Sequence, residues 1–249
     1  MFQPKKRLGQ NFLRDANIAR KIVGALEGDA PLVEIGSGTG ALTGLLLERD
    51  SALTAVEVDE RAVAILTGHW PDLDVRHLDV LKLNWASLAE ERGGPLGVIG
   101  NLPYYITTPI LFSLLDSPTG TVRELVVMMQ KEVAARIVAV PRTKAYGILS
   151  VVLQKLTRPT LLFDVSPEVF YPKPAVTSSV VHFDFRVPAL DVDPALFRRV
   201  VRTAFNQRRK TLRNSLSAFG ADLPEAFSSL RAEALTPDDF VTLSRYLAA

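Results

Sequence analysis

The sequence of 249 residues predicts an α/β protein with a doubly wound, Rossmann-like sheet and a small all-α domain at its C-terminal end. From about residue 31 to 185, short β-rich runs alternate with helical patterns, which is typical of parallel βαβ units. A glycine-rich stretch at residues 36–40 (GSGTG) separates the first such run from a helical pattern, and after residue 191 only helical periodicity appears. We therefore expect one domain over residues 1–186 and a second over residues 191–249.

The individual elements follow from local composition. Runs of β-branched and aliphatic residues predict strands, and apolar residues at helical spacing predict helices. The last two β-rich runs cover residues 159–165 and 178–185, and the second of them alternates apolar and polar residues. We therefore expect this pair to form an antiparallel edge of the sheet. Strands are predicted at residues 32–35, 52–57, 74–78, 97–100, 125–129, 159–165 and 178–185, and helices at 41–48, 59–67, 106–115, 133–140, 148–156, 194–204, 208–218, 226–232 and 238–247.

The amino-acid composition excludes several classes of site and of protein. The chain has 47 % apolar and 22 % charged residues, an ordinary globular mix. It has no cysteine, which excludes disulfides, thiolate zinc sites and a cysteine nucleophile. No apolar run approaches the roughly 20 residues that span a bilayer, and the basic start lacks the apolar segment of a signal peptide. These features predict a soluble, cytoplasmic protein without a metal site.

Positive charge is concentrated near the C-terminal end. The net charge is only +2, but residues 198–213 hold seven cations and no acid, among them Arg208, Arg209, Lys210 and Arg213. Such a run is either a solvated helix face or a contact for an anionic partner, which would relieve the mutual repulsion.

Acidic residues after two of the predicted strands indicate an adenosine-containing ligand. The glycine turn would let backbone approach a ligand closely, although Ala41 leaves the dinucleotide pattern G-x-G-x-x-G incomplete. Glu57 ends the second strand, 21 residues after Gly36, where a carboxylate can accept hydrogen bonds from both ribose hydroxyls. Asp79 follows the third strand and could accept from an adenine amino group. Either residue alone could merely cap its strand, but together with the glycine turn they favour adenosine binding.

The residues after the fourth strand, Asn101-Leu102-Pro103-Tyr104, indicate which chemistry this ligand serves. The amino group of an aromatic base is a poor nucleophile because its lone pair is delocalised into the ring. The Asn101 amide oxygen and the Leu102 carbonyl can accept its two N–H bonds and direct the lone pair at a methyl group. Pro103 stiffens the turn and Tyr104 offers a ring for stacking on the base. The pattern predicts methyl transfer by positioning and electrostatics.

In these motifs and several others, the sequence resembles the KsgA/RsmA family of small-subunit ribosomal RNA adenine N6-dimethyltransferases. Two positions depart from the family pattern: Ser37 replaces a common proline and Leu8 a frequent aromatic residue, and neither change removes a group that the mechanism needs. The matching segments run nearly end to end and read LGQNFL (8–13), VEIGSGTG (33–40), VEVD (56–59), NLPY (101–104), QKE (130–132), KAYG (144–147), FYPKP (170–174) and FNQRRKTLR (205–213).

The resemblance implies a class I S-adenosylmethionine methyltransferase sheet, with S-adenosylmethionine as methyl donor. Its implied substrate is a pair of adjacent adenosines in a hairpin loop near the 3′ end of 16S rRNA, in the small subunit or its precursor, and we expect a monomer. Phe170 is implied as a second aromatic wall, facing Tyr104 across a flipped-out adenine, with a core phenylalanine as the alternative. The resemblance assigns the donor to Gln10, Asn11, Leu13, Gly36, Gly38, Glu57, Asp79, Val80 and Asn101, catalysis to Asn101, Leu102, Pro103, Tyr104 and Phe170, and RNA contact to Arg208, Arg209, Lys210 and Arg213.

Other functions remain open at this stage. Erythromycin-resistance methyltransferases, which modify an adenine of large-subunit rRNA, share the N-terminal and catalytic motifs, and only the basic segment at 205–213 favours the small-subunit family. Methylation of DNA is disfavoured because no target-recognition domain is evident. A non-catalytic assembly or transcription factor on the same fold would not need the amine-activating turn at residues 101–104. A dehydrogenase is disfavoured by Ala41 and by the lack of a hydride-transfer partner.

Overall fold

The computed structural model describes residues 3–220 and 222–248. The chain forms two compact units. The first contains the described residues up to Ala134 together with Thr160–Arg186, and the second contains Ala135–Pro159 and the described residues from Val187 onward. Residues 135–159 therefore pack with the C-terminal helices, whereas the sequence patterns placed them with the sheet.

The strands form a mixed sheet and a separate two-stranded sheet. The strands are β1 (Phe12–Leu13), β2 (Leu32–Ile35), β3 (Thr54–Glu57), β4 (Asp74–His77), β5 (Leu96–Asn101), β6 (Val122–Gln130), β7 (Arg158–Val165), β8 (Phe170–Tyr171) and β9 (Ser178–Asp184). The large sheet has the order β4-β3-β2-β5-β6-β9-β7. Pairing from β4 to β6 is parallel, and β9 runs antiparallel to β6. The predicted doubly wound sheet with a final strand pair at its edge is confirmed.

The helices bear out most of the predicted pattern. Two were not predicted: the first, whose N-terminus is capped by the Asp15 carboxylate, and the fourth, capped by Asn84. The helices are α1 (Ala16–Val23), α2 (Thr43–Leu47), α3 (Glu60–His69), α4 (Trp85–Glu91), α5 (Thr107–Leu115), α6 (Lys131–Ile137), α7 (Ile148–Leu156), α8 (Pro194–Asn206), α9 (Leu212–Ser215), α10 (Glu225–Ser228) and α11 (Pro237–Tyr246).

The prediction of one helix over residues 208–218 is wrong. Residues 207–210 form a turn after α8, and only the short α9 follows before a 3₁₀ turn at Ser217–Phe219. Three successive cations repel one another in a helix, and Arg208 is held in the turn by contacts with other parts of the chain. The helix predicted over residues 226–232 is likewise reduced to α10, with a 3₁₀ turn at Ala232–Ala234.

Each unit has its own hydrophobic core. In the first unit, buried residues of α1, α2 and the sheet, such as Ile22, Leu46 and Met128, pack into one cluster. In the second unit Tyr146 is fully buried, its hydroxyl donates to the carbonyl of Leu235 over 2.8 Å, and aromatic contacts connect it through Phe205 to Phe240. Within the described residues, no helix has both the length and the apolar character needed to cross a membrane.

Candidate cofactor and substrate site

The carboxyl ends of the parallel strands meet at one edge of the large sheet. Ile35, at the end of β2, is paired with Val56 of β3 on one side and with Gly100 of β5 on the other. A cavity of about 280 Å³ opens at this edge. Its lining includes most of the predicted site residues, namely Gln10, Asn11, Gly36, Gly38, Glu57, Asp79, Val80, Asn101, Leu102, Pro103 and Tyr104.

The glycine turn after β2 requires glycine for two reasons. Gly38 has a φ of +56°, a left-handed conformation that other residues rarely adopt. Gly40 also has a positive φ, and a Cβ there would lie 2.6 Å from the ring of Trp70. The turn therefore keeps the backbone of Gly36 and Gly38 at the cavity wall.

Glu57 is buried at the end of β3, and its carboxylate is largely occupied by backbone donors. Gly38 N–H donates to Oε2, and the N–H groups of Val58 and Asp59 donate to Oε1, each over 2.8 Å. Because an ionised carboxylate offers roughly four acceptor positions, about one remains on the cavity side. The sequence pattern predicts that Glu57 accepts from both ribose hydroxyls, so this arrangement offers fewer acceptor positions than predicted.

A second buried carboxyl lies beneath the turn. Glu34 of β2 is buried, and the hydroxyl of Thr43 donates to its Oε2 over 2.6 Å. Burial raises the pKa of Glu34 to about 7, against the opposing effect of the Thr43 hydrogen bond. Burial therefore favours the protonated form of this carboxyl group over the charged one.

The position of Asp79 is compatible with both roles that the sequence left open, the cap and the ligand contact. Its Oδ1 accepts from Leu81 N–H over 3.0 Å and so caps the 3₁₀ turn Val80–Lys82. Its Oδ2 makes no hydrogen bond with any described residue, and Asp79 lines the cavity together with Val80. One oxygen thus has a structural role, and the other is available to a ligand.

The N-terminal segment lies along the cavity. Gln10 and Asn11 belong to the lining, but the Gln10 side chain is itself engaged: its amide nitrogen donates to Asp59 over 3.0 Å, and its oxygen accepts from Lys5 N–H over 2.8 Å. Leu13 does not line this cavity. It lies beside a smaller cleft at the glycine turn.

The turn after β5 presents the groups needed to bind an amine. The Asn101 side-chain nitrogen donates to the carbonyl of Asn11 over 2.9 Å, and no described residue donates to its Oδ1. Leu102 N–H donates to Met128 O, whereas no described residue donates to the Leu102 carbonyl. Two acceptor oxygens are therefore available at adjacent positions, and Pro103 follows them directly.

The two predicted aromatic walls differ in accessibility. Tyr104 is half-buried, and its hydroxyl lies 2.7 Å from that of Ser178; burial raises the pKa of Tyr104. Phe170 is only 5 % exposed, belongs to the hydrophobic cluster and pairs with Leu13 between β8 and β1, so its described position corresponds to the core alternative. The stacking role of Phe170 stays a prediction.

Sequence reasoning missed several apolar residues at the cavity. Val58, Leu81 and Tyr105 line it and are exposed, Tyr105 to 58 %. Each directly follows a residue that had been singled out, so a search one position beyond each strand-end motif would have found them. Asp59, which is buried two residues after Glu57, was also not predicted as a functional residue.

The predicted RNA-binding residues lie in the second unit and do not form a uniform set. Arg208 donates to the Glu233 carboxylate over 2.9 Å, and to the carbonyls of Lys144 and Thr143 over 3.0 and 3.1 Å. These contacts use its guanidinium to hold neighbouring loops together. Arg209, Lys210 and Arg213 are exposed.

The sheet order, with an antiparallel strand inserted next to an edge of a parallel sheet, and the cavity at the carboxyl ends of its strands define a class I methyltransferase fold. Two solved structures share it. A dimethyladenosine transferase from Plasmodium falciparum has a TM-score of 0.80 at 22 % identity, covering 93 % of this chain and 95 % of that chain. The 23S rRNA methyltransferase ErmE has a TM-score of 0.68 at 24 % identity, covering 96 % and 100 %.

The chain belongs to the ribosomal RNA adenine dimethylase family, whose model matches residues 1–248. It is similar to the ribosomal RNA small subunit methyltransferase A of Salinibacter ruber, with 55 % identity over 257 residues that cover 100 % of this chain and 86 % of the relative. The protein of the same name from Chlorobium phaeobacteroides is 46 % identical over 248 residues, covering 98 % and 93 %. These comparisons confirm the family that the motifs indicated.

Proposed function

We propose that the protein transfers methyl groups from S-adenosylmethionine to the N6 atoms of two adjacent adenosines, in a hairpin loop near the 3′ end of 16S rRNA. The observation that carries the proposal is the pair of free acceptors at the end of β5, the Asn101 amide oxygen and the Leu102 carbonyl, in the cavity that also holds Glu57 and Asp79. Family membership and the names of the relatives support the small subunit, or its precursor, as the substrate particle, and a cytoplasmic location follows from that substrate.

The cavity residues fit an adenosine-containing donor. The cavity volume of about 280 Å³ lies close to the lower end of the volumes usual for ligand sites. The remaining acceptor position of Glu57 suits a ribose hydroxyl, and the free Oδ2 of Asp79 suits the adenine amino group. Backbone at Gly36 and Gly38 would lie at the methionine end, with Gln10, Asn11 and Val80 around the donor and Leu13 beside it. When bound, S-adenosylmethionine supplies an electrophilic methyl group on its sulfonium.

Asn101 and Leu102 would act on the target amine. Their two oxygens accept the N6–H bonds, which favours a pyramidal nitrogen and directs its lone pair towards the methyl group. The lone pair that these oxygens direct would form the new bond to the methyl carbon, with the sulfonium as leaving group, and the proton that N6 loses would pass to solvent water. Pro103 restricts the turn, and Tyr104 stacks on the adenine. Phe170 is assigned as the second wall, a role that requires its buried ring to become accessible to RNA.

Recognition of the whole subunit requires contacts outside the cavity. An adenine must be unstacked to reach an enclosed site, and stacking selects the base type but not its location. We assign phosphate contacts to Arg209, Lys210 and Arg213, which are exposed, and a supporting role to Arg208, which is engaged with Glu233.

The decisive experiment supplies labelled S-adenosylmethionine together with unmodified small subunits or unmodified large subunits, and maps the labelled base. We expect label only in small subunits, on two adjacent adenosines near the 3′ end of 16S rRNA. Label in a large-subunit adenine would favour the erythromycin-resistance type of activity. Stable binding without label in either particle would indicate a non-catalytic assembly factor.

A further inference from the structure

The segment of residues 3–13, which we term the N-terminal strap, crosses the edge of the cavity. Five consecutive residues of the strap, from Leu8 to Phe12, line the cavity. The strap ends in β1, which pairs with β8. Its position therefore affects the shape of the site along one whole side.

One buried carboxylate holds the first part of the strap. Asp59, at the N-terminus of α3, accepts from Lys5 Nζ and from Gln10 Nε2, each over 3.0 Å. Arg61 of α3 pairs with the same carboxylate over 2.6 Å and donates to the carbonyl of Gln3 over 3.0 Å. The Arg61 guanidinium holds the pKa of Asp59 well below its usual range, so the carboxylate stays charged. Strap and helix are thus connected by charge-assisted hydrogen bonds, which are stronger than neutral ones.

The second part of the strap contacts Asn101, the residue proposed to bind the target amine. Because Asn101 Nδ2 donates to Asn11 O, the amide cannot rotate by half a turn without losing that hydrogen bond. The rotation would exchange its oxygen and nitrogen, and a donor would then face the N–H groups of the target. The backbone of Asn11 therefore selects the productive orientation of Asn101.

We propose that Asp59 is a positioning residue for methyl transfer: through Lys5 and Gln10 it holds the strap in the place where Asn11 orients the amide of Asn101. This inference rests on the proposed function. It assigns Gln10 to the strap rather than to direct recognition of the donor, and it places part of the catalytic geometry in a carboxylate that need not touch either substrate.

The test moves the carboxylate from position 59 to position 10, on the other side of the hydrogen bond between the two side chains. Gln10→Glu places a second carboxylate against Asp59, and Asp59→Asn removes the charge that attracts Lys5. We expect each variant to lower the single-turnover rate on unmodified small subunits, at saturating labelled donor and subunits, by about tenfold to a hundredfold, the scale of a misplaced catalytic group. The double variant restores a donor–acceptor pair, since the amide introduced at position 59 can donate to the carboxylate introduced at position 10. Because an amide at position 59 does not restore the ion pair with Arg61, we expect its rate to lie between those of the single variants and that of the parent.

A second measurement needs neither donor nor RNA. Opening of the strap should speed tryptic cleavage after Lys5 and Arg7 in both single variants, and the double variant should be cleaved more slowly than either single variant. Arg7→Met is the matched control for Lys5→Met: each removes one cation from the strap, but Arg7 is exposed and makes no ion pair with any described residue. Cleavage in these two variants is followed after Lys6, because the substitutions remove the tryptic sites at residues 5 and 7. Only Lys5→Met should speed this cleavage and slow methyl transfer.

The outcomes separate the two proposals. A parent protein that labels neither subunit refutes the proposed function, whatever the strap does. A parent that labels small subunits, with Gln10→Glu as fast as the parent, refutes the positioning role of Asp59. Additive losses in the double variant also refute it, because a merely structural role of each residue predicts no rescue. If Asp59→Asn fails to fold, Gln10→Glu and Lys5→Met still decide the question, since both changes lie on the strap.

Discussion

The hydroxyl groups of Tyr104 and Ser178 lie 2.7 Å apart. Tyr104 belongs to the turn after β5, and Ser178 is the buried first residue of β9. The inserted antiparallel strand thus holds the aromatic ring that we assign to the target base. The chemistry of the 101–104 turn depends on a strand that is formed more than seventy residues later.

Tyr104→Phe should keep the stacking surface and lose only this hydrogen bond. We expect a loss of stability of about 0.5–1.5 kcal/mol, the usual net value of one hydrogen bond, with methyl transfer reduced a few-fold. Tyr104→Ala also removes the stacking surface, worth about 1–3 kcal/mol per base, and should weaken substrate binding further. Urea unfolding and steady-state kinetics on small subunits measure the two effects. Equal kinetics for the two variants would exclude stacking by Tyr104.

Glu57→Ala should weaken the binding of S-adenosylmethionine by about 1.5–3 kcal/mol, because the charged carboxylate that accepts a hydrogen bond from a ribose hydroxyl is lost. Calorimetry measures the affinity, and a thermal melt identifies any loss of stability caused by the freed N–H groups at Gly38, Val58 and Asp59. Glu60→Ala, which removes an exposed carboxylate from α3, is the control and should leave the affinity unchanged. An unchanged affinity in Glu57→Ala would show that Glu57 only supports the glycine turn.

Asn101→Ala should lower the single-turnover rate by about 10²-fold or more, the scale for loss of one preorganised group. The affinities for donor and subunits should remain close to those of the parent, because Asn101 is proposed to act on the amine during transfer. A rate reduced less than threefold, together with lost binding, would make Asn101 a structural residue of the turn.

The triple variant Arg209→Ala/Lys210→Ala/Arg213→Ala should reduce the salt dependence of subunit binding. Each phosphate contact contributes roughly 0.7–0.9 to the slope of log K against log salt, so a loss of about two units or more is expected if all three act. Donor affinity and turnover at saturating RNA should change little, because the chemistry is assigned to the cavity of the first unit.

Arg208→Ala is the comparison for that variant. Since Arg208 holds Glu233 and the carbonyls of Thr143 and Lys144, its loss should lower the melting temperature, with a smaller change in salt slope than the triple variant. An unaltered slope in the triple variant would mean that the basic run is a solvated surface.

Glu34 should make the stability of the protein depend on pH. Its pKa is raised from 4.5 to about 7, so the folded state retains a proton that the unfolded state loses in this interval. Stability due to this group is therefore fully present below pH 4.5 and is lost as pH rises to about 7. Relative to the parent, Glu34→Gln should gain about 2–3 kcal/mol between pH 5 and pH 8, at 1.36 kcal/mol per pKa unit.

Urea unfolding of both proteins at about pH 5 and pH 8 measures this difference, on either side of the raised pKa. Glu48→Gln, the same substitution at an exposed position, provides the control. If the difference between parent and Glu34→Gln were the same at both pH values, Glu34 would not be the titrating group.

Much of the site could be predicted because its parts are local. Glu57, Asp79 and Asn101 each lie within two residues of the end of a strand, and periodicity and turn residues locate strand ends in the sequence. Parallel strands place their carboxyl ends at one edge of a sheet, so the three side chains were expected to meet there without any knowledge of long-range contacts. The glycine turn and the amine-binding turn are local in the same sense.

Other parts of the site could not be read from local patterns. Helical periodicity predicted a helix at 208–218, but it does not record the contacts of Arg208 with Glu233 and with the carbonyls of residues 143 and 144. Those contacts hold the segment in a turn. The two-residue strands β1 and β8 are too short to show a period, yet their pairing buries Phe170. Residues 135–159 pack with the helices of the second unit, which the order of elements along the sequence did not predict.

Local patterns were sufficient for the fold class, the family and the chemical groups at the strand ends, because period, turn type and motif are properties of neighbouring residues. How those groups are used depends instead on packing: the backbone donors that occupy Glu57, the burial that raises the pKa of Glu34, and the Asn11 carbonyl that orients Asn101 across 90 positions of sequence. Such effects depend on distance and desolvation, which arise when remote segments pack together and which no local pattern records.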